Sequence, residues 1–114
     1  MLRRITPNSA LNGVPCSIVA VSCALGKSPE EIPELKDDGY ATLNSANKYI
    51  RKNLKVRKRV DYKRGERPLL KDLNLDGKGI VCVLGHYLFL DHDKYYSFFE
   101  NDYDDVVAVW ILGD

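Results

Sequence analysis

The chain has 114 residues, 45% of them hydrophobic, which is enough for one folded domain with one core. Seventeen Lys and Arg against sixteen Asp and Glu leave a formal charge of +1, so no global field points to nucleic acid or to a membrane surface. Three cysteines without a C-x-x-C pair, and only two histidines, make neither a disulfide framework nor a structural zinc site.

A reducing, cytoplasmic setting is therefore expected, with no cofactor and no metal. No apolar run reaches the length of a membrane span, and the charged residues after Met1 are not followed by the apolar stretch of a secretion signal, so no membrane partner is expected.

Residues 1–13 read as an extended arm or loop, with Pro7, Asn8, Ser9, Asn12 and Gly13 as turn formers. Pro15 suits the first position of a helix, where its missing N–H costs nothing. From Cys16 onward Ile18, Val19, Val21, Cys23, Ala24 and Leu25 cover most of the circumference, and Gly26 stops the helix. A helix that apolar belongs in the middle of a small core. Ser28, Pro29 and two glutamates start a short second helix that ends near Leu35. Leu43, Ala46, Ile50 and Leu54 recur at helical spacing, which predicts an amphipathic helix capped by Thr42.

The pattern then changes. Residues 55–62 read as a strand with a solvated face, 68–73 as a helical turn and 74–78 as a loop. Residues 79–84 are continuously apolar and predict a central strand; 86–90 pair with it or with its neighbour. A hairpin turn at 91–94 leads into a strand over 95–99, an acidic turn follows at 101–105, and 106–112 close the sheet. Helices precede strands and connections are short. The expected class is α+β, one domain over 1–114, with a central buried N-terminal helix on a mainly antiparallel C-terminal sheet.

Cys16 is the residue where chemistry is expected. A thiol at a helix start faces unpaired N–H groups and the positive end of the dipole, both of which favour the thiolate. A histidine on a facing strand is the usual general base, and His86 follows Gly85 at a strand start. A third group orients the imidazole through its other nitrogen. Asn101 and Asp102 are the leading candidates, with Asp91 and Ser97 behind them, and strand register decides among them. Cys23 and Cys82 read as core thiols, and His92 as a solvated turn residue. The acidic residues at 100–105 lack the spacing of a calcium loop. The run 51–67 holds nine Lys and Arg and reads as a solvated helix end and guarded edge strand.

A cysteine opening an apolar helix, Gly-His at a strand start, then Asn or Asp resembles the papain-like cysteine peptidases. The chain is most similar to their small bacterial and phage-type members, including the bacteriocin-processing peptidase group. The resemblance rests on Asn12, on Cys16-Ser17-Ile18-Val19-Ala20 through Gly26, and on Gly85-His86-Tyr87-Leu88-Phe89-Leu90. It implies a papain-like fold and a thiol hydrolase with a triad of Cys16, His86 and Asn101 or Asp102. Its substrate would be a peptide or protein, cleaved at a peptide or isopeptide bond or at a glutamine side-chain amide. A phage-encoded protein acting in a host cytoplasm fits the same resemblance. Ala10 stands where many such enzymes carry an oxyanion-hole glutamine, and the chain has no glutamine at all. Asn12 or Asn8 then becomes the candidate oxyanion donor beside the Cys16 amide, with Asn12 preferred, and Val14-Pro15 replace the polar residue that often precedes the cysteine. Two other readings are a catalytically silent binding or inhibitor module of the same fold, and a nucleic-acid-binding protein using 51–67.

Overall fold

The computed structural model describes residues 2–27 and 43–113. Two helices, α1 (Cys16–Leu25) and α2 (Leu43–Asn53), lie among them with six strands. The strands are β1 (Arg3–Ile5), β2 (Val56–Asp61), β3 (Lys78–Val83), β4 (His86–Asp91), β5 (Lys94–Tyr96) and β6 (Val106–Leu112). They form one mixed sheet in the order β1-β5-β4-β3-β6-β2. The expected helix at 28–35 and the Thr42 cap lie outside the described residues.

The continuous apolar run of β3 is explained by burial on both faces. Ile80 and Cys82 point into one cluster with Ala20, Val21, Ala46, Ile50 and Trp110, so this face carries the two helices. Val81 and Val83 point into the other, with Leu70, Leu88, Leu90 and Tyr95. That second face is covered by the segment after β2, through Tyr62, Leu70, Leu73 and Leu75. Alternation along β4 follows the same rule: Tyr87 and Phe89 face the helices, Leu88 and Leu90 the covering segment. Trp110 is fully buried, and its indole N–H donates to Asn47 on α2 at 2.8 Å. This polar link ties the amphipathic helix to the sheet.

Three features differ from the sequence expectation. First, the N-terminal arm contains a strand: β1 pairs in parallel with β5, matching Arg4 to Tyr95 and Ile5 to Tyr96. Three residues are too few to show a period, so nothing local announces it. Secondly, β6 does not close the sheet. It sits between β3 and β2, and the basic strand β2 takes the edge. Apolar β6 gains by having neighbours on both sides, whereas exposed Arg57 and Lys58 suit an edge and deter pairing with other chains. Thirdly, β5 stops at Tyr96 instead of running to Phe99. The Ser97 hydroxyl accepts the Phe99 N–H at 3.1 Å, which turns the backbone out of the sheet.

Candidate active site

Cys16 is the first residue of α1. Pro15 stands one position earlier than expected, as the cap, with extended φ −53° and ψ 139°. The approach is fixed by a turn in which the Val14 N–H donates to the Leu11 carbonyl at 3.1 Å, while Gly13 takes φ 86°. The N–H groups of Ile18 and Val19 both reach the Pro15 carbonyl at 3.0 Å. The amides of Cys16 and Ser17 have no acceptor among the described residues. Of the two, Cys16 lines a cleft and Ser17 is buried, so the Cys16 amide is the donor that stands beside the thiol, as the geometry of a helix start dictates.

His86 opens β4, directly after the Leu84-Gly85 turn, where Gly85 takes φ 76°. Its Nε2 lies 3.0 Å from the Ser97 hydroxyl oxygen. The direction of that hydrogen bond follows from the groups behind it. The Asn101 Nδ2 donates to the Asp104 carboxylate at 2.7 Å, which fixes which way the Asn101 amide points. Asn101 Oδ1 therefore faces Ser97 and accepts the one proton of its hydroxyl at 2.6 Å. Having spent that proton, the Ser97 oxygen accepts, and it accepts from both the Phe99 N–H and His86 Nε2–H. The imidazole proton is held on Nε2, and the lone pair is left on Nδ1.

Ser97 is itself clamped. It is 2% exposed, its N–H donates to the Ile5 carbonyl at 3.2 Å, and its own carbonyl accepts from the Arg4 guanidinium at 3.2 Å. Strand β1 thus fixes the residue that orients the histidine. Phe99 packs edge-on against the His86 ring, with centroids 5.6 Å apart. Burial lowers the pKa of His86 below its ordinary value, opposed by the negative charge of Asp104. The imidazole is accordingly neutral at neutral pH and able to accept a proton.

The remaining sequence candidates fall as follows. Asn101 joins the chain behind His86, one step removed, through Ser97. Asp102 instead accepts the Tyr95 hydroxyl proton at 2.7 Å, and the Asn101 N–H donates to that same hydroxyl at 3.1 Å. Asp91 pairs with exposed His92 at 2.7 Å in the β4–β5 turn, away from the chain on His86. Asn12 is exposed and lines the cleft that holds Cys16 and His86. Asp104 was not foreseen. Its signal is the Asn101-x-x-Asp104 spacing of a turn, closed by the Asp104 N–H on the Asn101 carbonyl at 3.0 Å.

Cys16 and His86 both line two clefts. One, of about 320 Å³, includes Val14, Tyr96, Phe98 and Phe99; the other, of about 430 Å³, includes Cys82, Leu84 and Val107. Burial pushes the Cys23 and Cys82 thiols up to about 11, which keeps both protonated at neutral pH. The basic residues of β2 lie at the far edge of the sheet from β1, with Arg59 bonded to Asp61 at 2.8 Å and lying 5.1 Å from the Trp110 ring centroid. Among the described residues no group of three or more His, Cys, Asp or Glu is placed to hold a metal ion. No described helix is long and apolar enough to cross a membrane. Comparison with family models, with curated proteins and with solved structures finds no match.

Proposed function

We propose that the chain is a small papain-like thiol hydrolase in which Cys16 is the nucleophile and His86 its general base. The observation that carries this reading is the fixed direction of the hydrogen bonds from Asp104 through Asn101 and Ser97 to His86. It reserves the Nδ1 lone pair of a partly buried, neutral imidazole lining the same clefts as a thiol at a helix start. Neither a core histidine nor a core cysteine needs such an arrangement. The order of a helix-opening cysteine, a strand-opening histidine and a supporting asparagine fits the papain-like pattern, with a serine inserted between the last two.

In this mechanism Nδ1 takes the thiol proton as Sγ bonds to the carbonyl carbon. The oxyanion is held by the Cys16 amide, with the Asn12 side chain, which lines the same cleft, as a second donor. The proton passes from Nδ1 to the leaving amine as the carbon–nitrogen bond breaks, leaving a thioester on Cys16. Water then attacks the thioester with His86 again as base, releasing the acid and restoring the thiol.

A direct test uses p-nitrophenyl acetate as acyl donor, with mass spectrometry of the intact and digested protein. The expected result is acetyl on Cys16 in the wild type, and much slower nitrophenolate release in His86→Ala. Nitrophenolate release no faster than that of Cys16→Ala, or equal release by His86→Ala, would refute the proposal. A catalytically silent binding module would give that negative result.

A further inference from the structure

We infer that the N-terminal arm controls the reactivity of the Cys16–His86 pair: docked as β1, it holds Ser97 through Arg4 and Ile5, and Arg4 is a positioning residue for His86. This inference deepens the thiol hydrolase reading and rests on it.

Ser97 follows the last residue of β5, so pairing with β4 no longer holds its backbone. The arm holds it instead. The Ser97 N–H donates to the Ile5 carbonyl at 3.2 Å, and the Ser97 carbonyl accepts from Arg4 Nη1 at 3.2 Å. Both backbone groups of this buried residue are thus tied to the other end of the chain. Its hydroxyl meets Asn101, Phe99 and His86 in three directions at once. A shift of the Ser97 backbone therefore spoils the bond to His86, because hydrogen bonds weaken steeply off their axis. The same shift moves Phe98 and Phe99, which wall the cleft. Arg4 is set for this task from within the arm. Its Nη1 also donates to Thr6 Oγ1 at 3.0 Å, which fixes the guanidinium, and a charged donor bonds a carbonyl more strongly than a neutral one.

The arm is also easily lifted. Strand β1 has three residues, sits at the sheet edge and pairs in parallel with β5 alone. Arg3 and Arg4 are exposed, and Leu2 and Ile5 are only half-buried. Elements with so few buried apolar contacts open locally at a free energy below that of global unfolding. Lifting β1 releases Ser97 and turns the site down while the central strands stay packed.

The test compares the wild type, Arg4→Ala and Asn47→Ala in nitrophenolate release from p-nitrophenyl acetate across pH, and in amide hydrogen exchange read by NMR. Arg4 is exposed and its side chain bonds only Thr6 and Ser97 among the described residues, so Arg4→Ala retains the fold. Release by Arg4→Ala is expected to be roughly threefold slower or more. The acid limb of its pH–rate profile should rise toward the roughly 6.5 of a free imidazole, as the loosened ring gains water. The other titratable groups about that ring, Cys16, Cys82, Tyr87 and Tyr96 in the clefts and Asp104 behind Asn101, are the same in all three proteins. The Ser97 amide should exchange about threefold faster or more, with the amides of β3 unchanged. Asn47→Ala, which weakens the link between α2 and Trp110, should keep the wild-type rate and acid limb. Arg4→Ala with the wild-type rate or the wild-type acid limb, or with the Ser97 and β3 amides quickened alike, would overturn the inference and leave the hydrolase reading standing. Wild-type release no faster than that of Cys16→Ala would instead remove the hydrolase reading beneath it.

Discussion

Ser97→Ala removes one oxygen and disturbs three partners at once. The Asn101 Oδ1 loses its donor in a residue only 5% exposed, and leaving such an acceptor unpaired costs about 1–3 kcal/mol. His86 Nε2–H, partly buried, loses its acceptor, for roughly 0.5–1.5 kcal/mol. The Phe99 N–H belongs to an exposed residue and finds water, so it adds little. The unfolding free energy should fall by about 1.5–4.5 kcal/mol, less than the roughly 5–15 kcal/mol of an ordinary domain. The chain stays folded, but the imidazole loses its fixed tautomer and ring angle. If the lost bond held the reactive geometry by about 0.5–1.5 kcal/mol, Cys16 acetylation slows roughly two- to thirteenfold. Urea unfolding followed by Trp110 fluorescence gives the first quantity, and nitrophenolate release from p-nitrophenyl acetate the second. Unchanged acetylation in a folded Ser97→Ala protein would refute the orienting role of Ser97, whatever the change in stability.

Other outcomes follow from the same structure. Burial lowers the His86 pKa, so below its unfolded value of about 6.5 the unfolded chain binds more protons than the folded one. The contribution of His86 is fully present above that pH and is lost as pH falls through the lower folded value. The urea midpoint of the wild type should therefore drop more steeply below pH 6.5 than that of His86→Ala. Parallel pH curves would contradict the burial of a neutral imidazole. Asn47→Ala leaves the fully buried indole N–H of Trp110 without its acceptor and should cost about 1–3 kcal/mol by urea unfolding; no loss would mean that this link is dispensable. Gly79→Ala would bring a Cβ to 2.7 Å from Leu75 and 3.1 Å from the Trp110 carbonyl. Repacking the Leu75 side chain against a backbone that cannot retreat should cost about 1–3 kcal/mol, read in the same assay.

Much of this architecture is legible in the residues, for reasons that also explain the gaps. Strands β3, β4 and β6 announce themselves because they are apolar on both faces, and α1 because a proline and a glycine bracket it. The positions of Cys16 and His86 are readable because each opens its element, just after a proline or a glycine turn. Strand β1 is not readable, since its pairing with β5 is a tertiary event with no local period. The link between His86 and Asn101 fails for a related reason. With Phe89 paired to Tyr96, a strand continued to Phe99 would set Phe99 opposite His86 and leave Asn101 only a diagonal neighbour. The Ser97 hydroxyl ends the strand early and takes the adjacent place itself. The edge position of β2 depends on competition between strands for neighbours, which no single segment encodes.

The central claim is that folding makes Cys16 reactive through His86. The most direct measurement is site-resolved alkylation by iodoacetamide at neutral pH, comparing each cysteine in the native and the urea-unfolded chain. Cys16 should react roughly tenfold faster in the native state despite being less exposed there, because a positioned base assists it. Cys23 and Cys82, whose thiols burial pushes up to about 11, should react slower when folded. His86→Ala should abolish the native advantage of Cys16. Native Cys16 reacting no faster than unfolded Cys16, or keeping its advantage in His86→Ala, would contradict the account.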